Sequence, residues 1–200
     1  GLAWLVAAIR ECFEEAGVLL ARRGDETEVV SFDRPEIANH YEAQRLAMHD
    51  GERTMVDMCE ADDLVLLTDR LHLVAHWLTP IGERRRFDTR FFVAHAPSTQ
   101  VPLHDDRETI ASLWVRPTDA LDMWAAGELA MFPPTVACLR YLQTFPDAAA
   151  AVEASRHVGI PDRITPRFRF DDTGTVTQIL LPGEEGFDEA VVPEYVLDRF

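Results

Sequence analysis

An α/β fold is the class this 200-residue sequence predicts, on three observations. Stretches with helical apolar spacing are interleaved with short β-branched and aromatic runs. Glycine and proline punctuate the boundaries between them. The apolar fraction, 47%, suffices for one packed core, and no internal repeat or low-complexity linker divides the chain. Residues 1–200 are therefore read as a single domain.

The elements follow in order. Ala3 to Ala16 is a helix, because Ile9, Cys12, Phe13 and Ala16 form one apolar stripe, and Gly17 is its natural end. Val18–Leu20 and Glu28–Phe32 read as short extended segments around a turn at Gly24-Asp25. Asp33-Arg34-Pro35 starts a second helix, with Pro35 in the first turn, running to about His49 and stopping at Gly51. A further helical piece covers Arg53 to Ala61. Leu71–Leu78 and Phe87–Ala94 are strands separated by Thr79-Pro80-Ile81-Gly82, and Thr109–Val115 is another. Helices are expected over Pro117–Ala126, Thr135–Thr144 and Asp147–Arg156. Arg167–Phe170 and Val176–Leu181 form a hairpin around Asp172-Thr173-Gly174.

Charge and composition exclude several roles. The formal net charge is -16, so a nucleic-acid-coating function is not expected. All 19 basic residues are arginine, which removes Schiff-base and P-loop lysines. Cys12, Cys59 and Cys138 are widely spaced and odd in number, so free thiols in a reducing compartment are expected. No apolar run reaches the roughly 18 residues of a membrane span. The chain opens at Gly1 without Met, and earlier residues are expected to be missing.

The chemistry is concentrated in Arg10-Glu11-Cys12-Phe13-Glu14-Glu15-Ala16-Gly17-Val18. On a helix, Glu11, Glu14 and Glu15 share a face opposite the Ile9/Phe13 stripe, and Arg10 lies four residues before Glu14. Clustered glutamates usually form a solvated face. A hard divalent cation would turn their mutual repulsion into attraction, and Mg²⁺ or Mn²⁺ prefers such oxygen ligands.

These nine residues resemble the second half of the Nudix box, G-x5-E-x7-R-E-U-x-E-E-x-G-U, with Cys12 at an apolar position. The box's first glutamate would fall on Leu2 and its glycine before Gly1, so an insertion or a missing upstream segment is expected to supply them. The resemblance implies a Nudix α/β/α sandwich with a mixed sheet. It makes Glu11, Glu14 and Glu15 metal ligands for Mg²⁺ or Mn²⁺ and Arg10 the residue that orients the acids. It leaves the general base open between Glu14 and Glu15. An acid on a distant loop, Glu108, is a further candidate metal contact or base, beside the plainer view of it as a surface glutamate.

A second set of segments is similar to the Nudix subgroup that cleaves coenzyme A and acyl-CoA to 3′,5′-ADP and (acyl-)phosphopantetheine. It comprises Trp77-Leu78-Thr79-Pro80, Arg84 to Ala94, Trp114, Pro117, the Pro133-Pro134-Thr135 turn and Leu181-Pro182-Gly183. On that resemblance the helical stretch at about 34–62 is a subgroup insertion. Arg84, Arg85 and Arg86, the one basic cluster in an acidic chain, and Arg90 suit phosphate through bidentate hydrogen bonds. Strand alternation places Asp88, Arg90 and Phe92 on one face, and Phe87, Thr89, Phe91 and Val93 on the other. Pairing of Asp88 with Arg90, and a solvated Arg84–Arg86 turn, are the structural alternatives. His72 and His76 share a strand face, too few ligands for zinc. Trp77, Trp114 and Trp124 belong to the core or its rim. The expected partner is a small nucleoside diphosphate derivative, with CoA or acyl-CoA first, neither nucleic acid nor membrane, and a homodimer left open. The rival activities are an ADP-ribose or nucleotide-sugar pyrophosphatase and a non-catalytic ligand-binding module. Without a peroxisomal tripeptide at Asp198-Arg199-Phe200, the cytoplasm is the expected location.

Overall fold

The computed structural model describes residues 1–103 and 112–194. The chain separates into two compact units, one from Gly1–His72 with Ala94–Asp119, the other from Leu73–Val93 with Ala120–Phe200.

In the first unit, helix α1 (Leu2–Ala16) buries Ile9 and Phe13, the stripe read from the sequence. It ends on Gly17 in the left-handed conformation, φ 68 and ψ 14. Helix α2 (Pro35–His49) begins on its proline and packs against α1. Helix α3 (Met55–Ala61) starts in a capping box: the Thr54 hydroxyl accepts from Asp57 N, and the Asp57 carboxylate accepts from Thr54 N. Strands β1 (Ala21–Arg23) and β2 (Leu64–Leu66) pair antiparallel, with Ala21 opposite Leu66. Leu19, Tyr41 and Met58 are fully buried with Ile9 and Phe13, and Tyr41 stacks on Phe32 at 5.2 Å.

Val18–Leu20 and Glu28–Phe32 form no regular strand. The physical reason is Gln100, a buried side chain that takes the place of a neighbouring strand. Its amide donates to Leu19 O and Val30 O at 3.1 and 2.8 Å, and its oxygen accepts from Leu19 N at 2.8 Å. The strand expected at Thr109–Val115 is absent over Ser112–Val115, and its remainder lies outside the described residues.

In the second unit, β3 (His72–Leu78) lies between β4 (Asp88–Val93) and β5 (Arg163–Ile164) and runs parallel to β5. Strands β6 (Arg167–Phe170) and β7 (Val176–Leu180) form the expected antiparallel hairpin, with Phe168 opposite Ile179. The Asp171 carboxylate shapes its turn by accepting from Thr173 N and Thr175 N, both at 2.9 Å. Helix α4 (Pro117–Ala125) leads into this unit from the first. Helix α5 (Pro133–Leu142) starts on the Pro133-Pro134 pair. Helix α6 (Ala148–Ser155) is capped by Asp147, which accepts from Ala150 N at 2.8 Å, and it packs on β4. Helices thus combine with parallel and antiparallel strand pairs, the mixed α/β class.

Candidate active site

Helix α1 carries the acidic face on its last two turns. Arg10 reaches both neighbours on that face: its Nη1 donates to Glu14 Oε2 at 2.5 Å, and its Nη2 pairs with Glu11. Burial opposes the Arg10 charge, but the hydrogen bond and charge of Glu14, followed by those of Glu11, outweigh it and hold the guanidinium above its ordinary pKa. The Glu14 side chain is 17% exposed and that of Glu11 50%. The more sheltered acid is therefore the one that Arg10 orients from four residues away.

The carboxylates are hard oxygen donors of the kind Mg²⁺ and Mn²⁺ take. Such ions commonly use only one or two carboxylates and complete their shell with water and substrate phosphate. The donor chemistry fits a divalent ion on that basis. A preformed cage is a different matter: among the described residues, no group of three or more His, Cys, Asp or Glu side chains is arranged to hold a metal. Glu108 lies outside the described residues.

The end of α1 is gripped by residues that the sequence pattern did not single out. Arg45 on α2, 3% exposed, donates from Nε to Glu14 O at 2.8 Å and from Nη2 to Glu15 O and Leu103 O at 2.9 and 3.0 Å. His49, one turn on, bonds through Nε2 to Glu14 O at 2.8 Å. A cation on the terminal carbonyls satisfies groups that a helix leaves unpaired and opposes the negative end of its dipole. Gly17 is required here for two reasons. Its φ of 68 disfavours a side chain, and an added Cβ would lie 3.3 Å from Arg45 Nη1. The backbone that carries Glu14 and Glu15 is thus held from α2. Arg45 falls in register with Tyr41 and Met48, the other buried residues of α2, so helical periodicity places it on the inner face, but nothing in the sequence says which carbonyls it meets there.

In the second unit, the two faces of β4 divide as strand alternation requires. On the polar face His76 Nε2 and Asp88 Oδ1 are 2.6 Å apart, and Arg90 Nη1 donates to the same oxygen at 2.9 Å. The Asp88 carboxyl is held below its ordinary pKa, first by the His76 hydrogen bond and then by the charges of Arg90, His76 and Arg163, with burial working the other way. The paired arrangement of Asp88 and Arg90 is the one present. Of the arginine cluster, Arg86 donates to Thr79 O at 2.9 Å and so braces the loop between β3 and β4. Arg84 and Arg85 are exposed on that loop. Of the three tryptophans expected in the core or at its rim, Trp77 is buried and Trp124 is 37% exposed, whereas Trp114, 76% exposed, departs from the expectation.

Residues 1–142 match the family model described as the NUDT19 Nudix domain. The acyl-coenzyme A diphosphatase NUDT19 of Gallus gallus is 28% identical over 148 residues, covering 66% of this chain and 38% of that protein. Its Homo sapiens counterpart is 29% identical over 153 residues, covering 72% and 40%. The matched stretch is therefore well under half the length of these relatives. Among solved structures, a NUDIX hydrolase from Alicyclobacillus acidocaldarius superposes with a TM-score of 0.57 at 27% identity, covering 74% of this chain and 64% of that one.

Proposed function

This chain belongs to the Nudix hydrolase family, and from that premise we propose that it hydrolyses the pyrophosphate bond of coenzyme A or an acyl-coenzyme A. The products are 3′,5′-ADP and (acyl-)phosphopantetheine. The observation that supports this most directly is Arg10 reaching both Glu11 and Glu14 on one face of α1. We propose that residues 1–200 act as one Nudix domain, since the family match takes in all of the first unit and the start of the second.

In this mechanism Arg10 fixes the orientation of Glu11 and Glu14, and Arg45 fixes the backbone that carries Glu14 and Glu15. Glu11, Glu14 and Glu15 would hold Mg²⁺ or Mn²⁺, with Glu108 as a further contact. Bound there, the ion supplies charge stabilisation at the phosphoryl oxygens and a more acidic water. Glu14 or Glu15 accepts the proton of the attacking water. Arg84, Arg85, Arg86 and Arg90 would bind the phosphates; the exposure of Arg84 and Arg85 on the β3–β4 loop supports that role, whereas Arg86 and Arg90 also make internal bonds. Cys12, Cys59 and Cys138 are all free thiols, which supports a reducing compartment, the cytoplasm. Among the described residues no helix is long and apolar enough to cross a membrane.

Product analysis with Mg²⁺ or Mn²⁺ tests the proposal. CoA or acyl-CoA should be cleaved with kcat/KM well above that for ADP-ribose. Glu14→Gln should lower kcat by about 100-fold or more, the range for a lost general base or ligand. Preference for ADP-ribose would reject the substrate, and undiminished turnover by the variant would reject catalysis by α1.

A further inference from the structure

A cavity of about 660 Å³ opens within the second unit, between the β3–β4 hairpin, the Phe132–Thr135 turn and the β6–β7 hairpin. Its volume falls in the range of small-molecule sites, roughly 300–1,000 Å³. It occupies the non-polar face of β4: Phe87, Thr89 and Phe91 line it, while Asp88 and Arg90 do not.

The walls say what such a site can hold. Trp77, Phe132, Phe168 and Ile179 add aromatic and aliphatic surface. Pro80, Pro133, Pro134 and Pro166 contribute wall without any N–H to donate. The Thr79 hydroxyl is already engaged by the backbone of Phe87, donating to its O and accepting from its N. Among the described residues the Trp77 indole N–H is buried with no acceptor, which shows how few polar atoms the surroundings offer. A nucleobase or a sugar would leave its own donors and acceptors unpaired here, at a cost that apolar contact does not offset. Yet Phe87 and Phe132 at this site are 61% and 81% exposed, large rings that an apolar guest would cover. The shape is concave, and among the described residues its lining carries one cation, Arg85, and one acid, Glu83, both on the loop between β3 and β4. A slender apolar chain attached to an anionic head meets these conditions, whereas a protein surface needs a broad, flatter contact.

We propose that this cavity seats the hydrocarbon chain of an acyl thioester, with Arg85 toward the anionic part of the molecule. That the thioester is acyl-CoA rests on the activity proposed above; the chain-binding cavity itself does not.

The test is equilibrium binding to the whole chain without divalent metal, so that no turnover intervenes. CoA, butanoyl-, octanoyl- and dodecanoyl-CoA are titrated by calorimetry, with free dodecanoate as a separate arm. Affinity should climb with chain length, by up to about fourfold per buried methylene, and then level off as the cavity fills. Dodecanoyl-CoA should bind at least tenfold tighter than CoA. Ile179→Trp, which fills the cavity, should reduce that ratio below threefold. Phe132→Ala, which removes an exposed ring and so leaves the core intact, should reduce it several-fold. Free dodecanoate should compete with dodecanoyl-CoA and not with CoA; dodecanoate that displaces CoA equally well would place its binding outside this cavity and count against the site. Equal affinities for CoA and dodecanoyl-CoA, or a ratio untouched by both variants, would overturn it. Hydrolysis is scored separately. A chain that cleaves CoA but ignores the acyl tail keeps the pyrophosphatase and loses this site, and one that binds the tail without cleaving does the reverse.

Discussion

Two residues at the end of α1 matter more than their types suggest. Gly17 and Arg45 are in contact range, and together they set where the Glu14 and Glu15 backbone lies. Gly17→Ala should destabilise the chain by about 1–2 kcal/mol through the left-handed conformation alone, and more if Arg45 must move. Arg45→Met leaves the carbonyls of Glu15 and Leu103 without their Arg45 donor in a buried setting, and should cost about 3 kcal/mol. Urea midpoints at unchanged slope would measure both. A midpoint for Arg45→Met equal to that of the parent chain would show that the grip contributes nothing. The acids of α1, by contrast, were legible from sequence, because i, i+3 and i+4 spacing on a helix places side chains together whatever surrounds them.

At the scale of elements, the β3–β4 hairpin shows how one strand serves two purposes. Period-2 alternation sends Asp88 and Arg90 to one side and Phe87, Thr89 and Phe91 to the other, as the sequence predicted. The polar side carries a pH dependence. The Asp88 pKa is depressed in the folded chain, mainly by the His76 hydrogen bond, so its stabilising contribution is present above the ordinary carboxylate value near 3.9. That contribution is lost as pH falls through the lower folded value. Asp88→Asn should therefore lower Tm by more at pH 6 than at pH 3, as followed by circular dichroism. A constant difference across that range would remove Asp88 from the account. The long helices α1 and α2 were legible from their periodicity, proline start and glycine stop. Strands β2 and β5 were not, because three and two residues are too few to show alternation. Nothing local in Val18–Leu20 says that Leu19 is paired by a side chain 81 residues away, Gln100.

For the whole molecule, a formal charge of -16 means that the anionic substrate proposed above would approach against the net field. Salt screens that field, with a Debye length of about 30 Å at 0.01 M and about 8 Å at 0.15 M. Raising NaCl across this interval at fixed free Mg²⁺ should therefore raise kcat/KM for CoA or leave it level. A steep fall would mean that the local field of Arg84–Arg86 governs encounter instead. Initial rates at substrate concentrations far below KM give this ratio directly.

What local sequence settles here is whatever depends on the repeat of a helix or strand: the acidic face of α1, the two faces of β4 and the ends marked by Gly17 and Pro35. Each follows from geometry internal to one element. Folding alone determined that Arg45 and His49 hold the carbonyls behind Glu14, that Arg86 is drawn to Thr79, and that three separate segments enclose an apolar cavity. Apart from the Arg86–Thr79 bond, which closes one loop, those outcomes join residues tens of positions apart, and such meetings are set by packing, on which no single segment carries information.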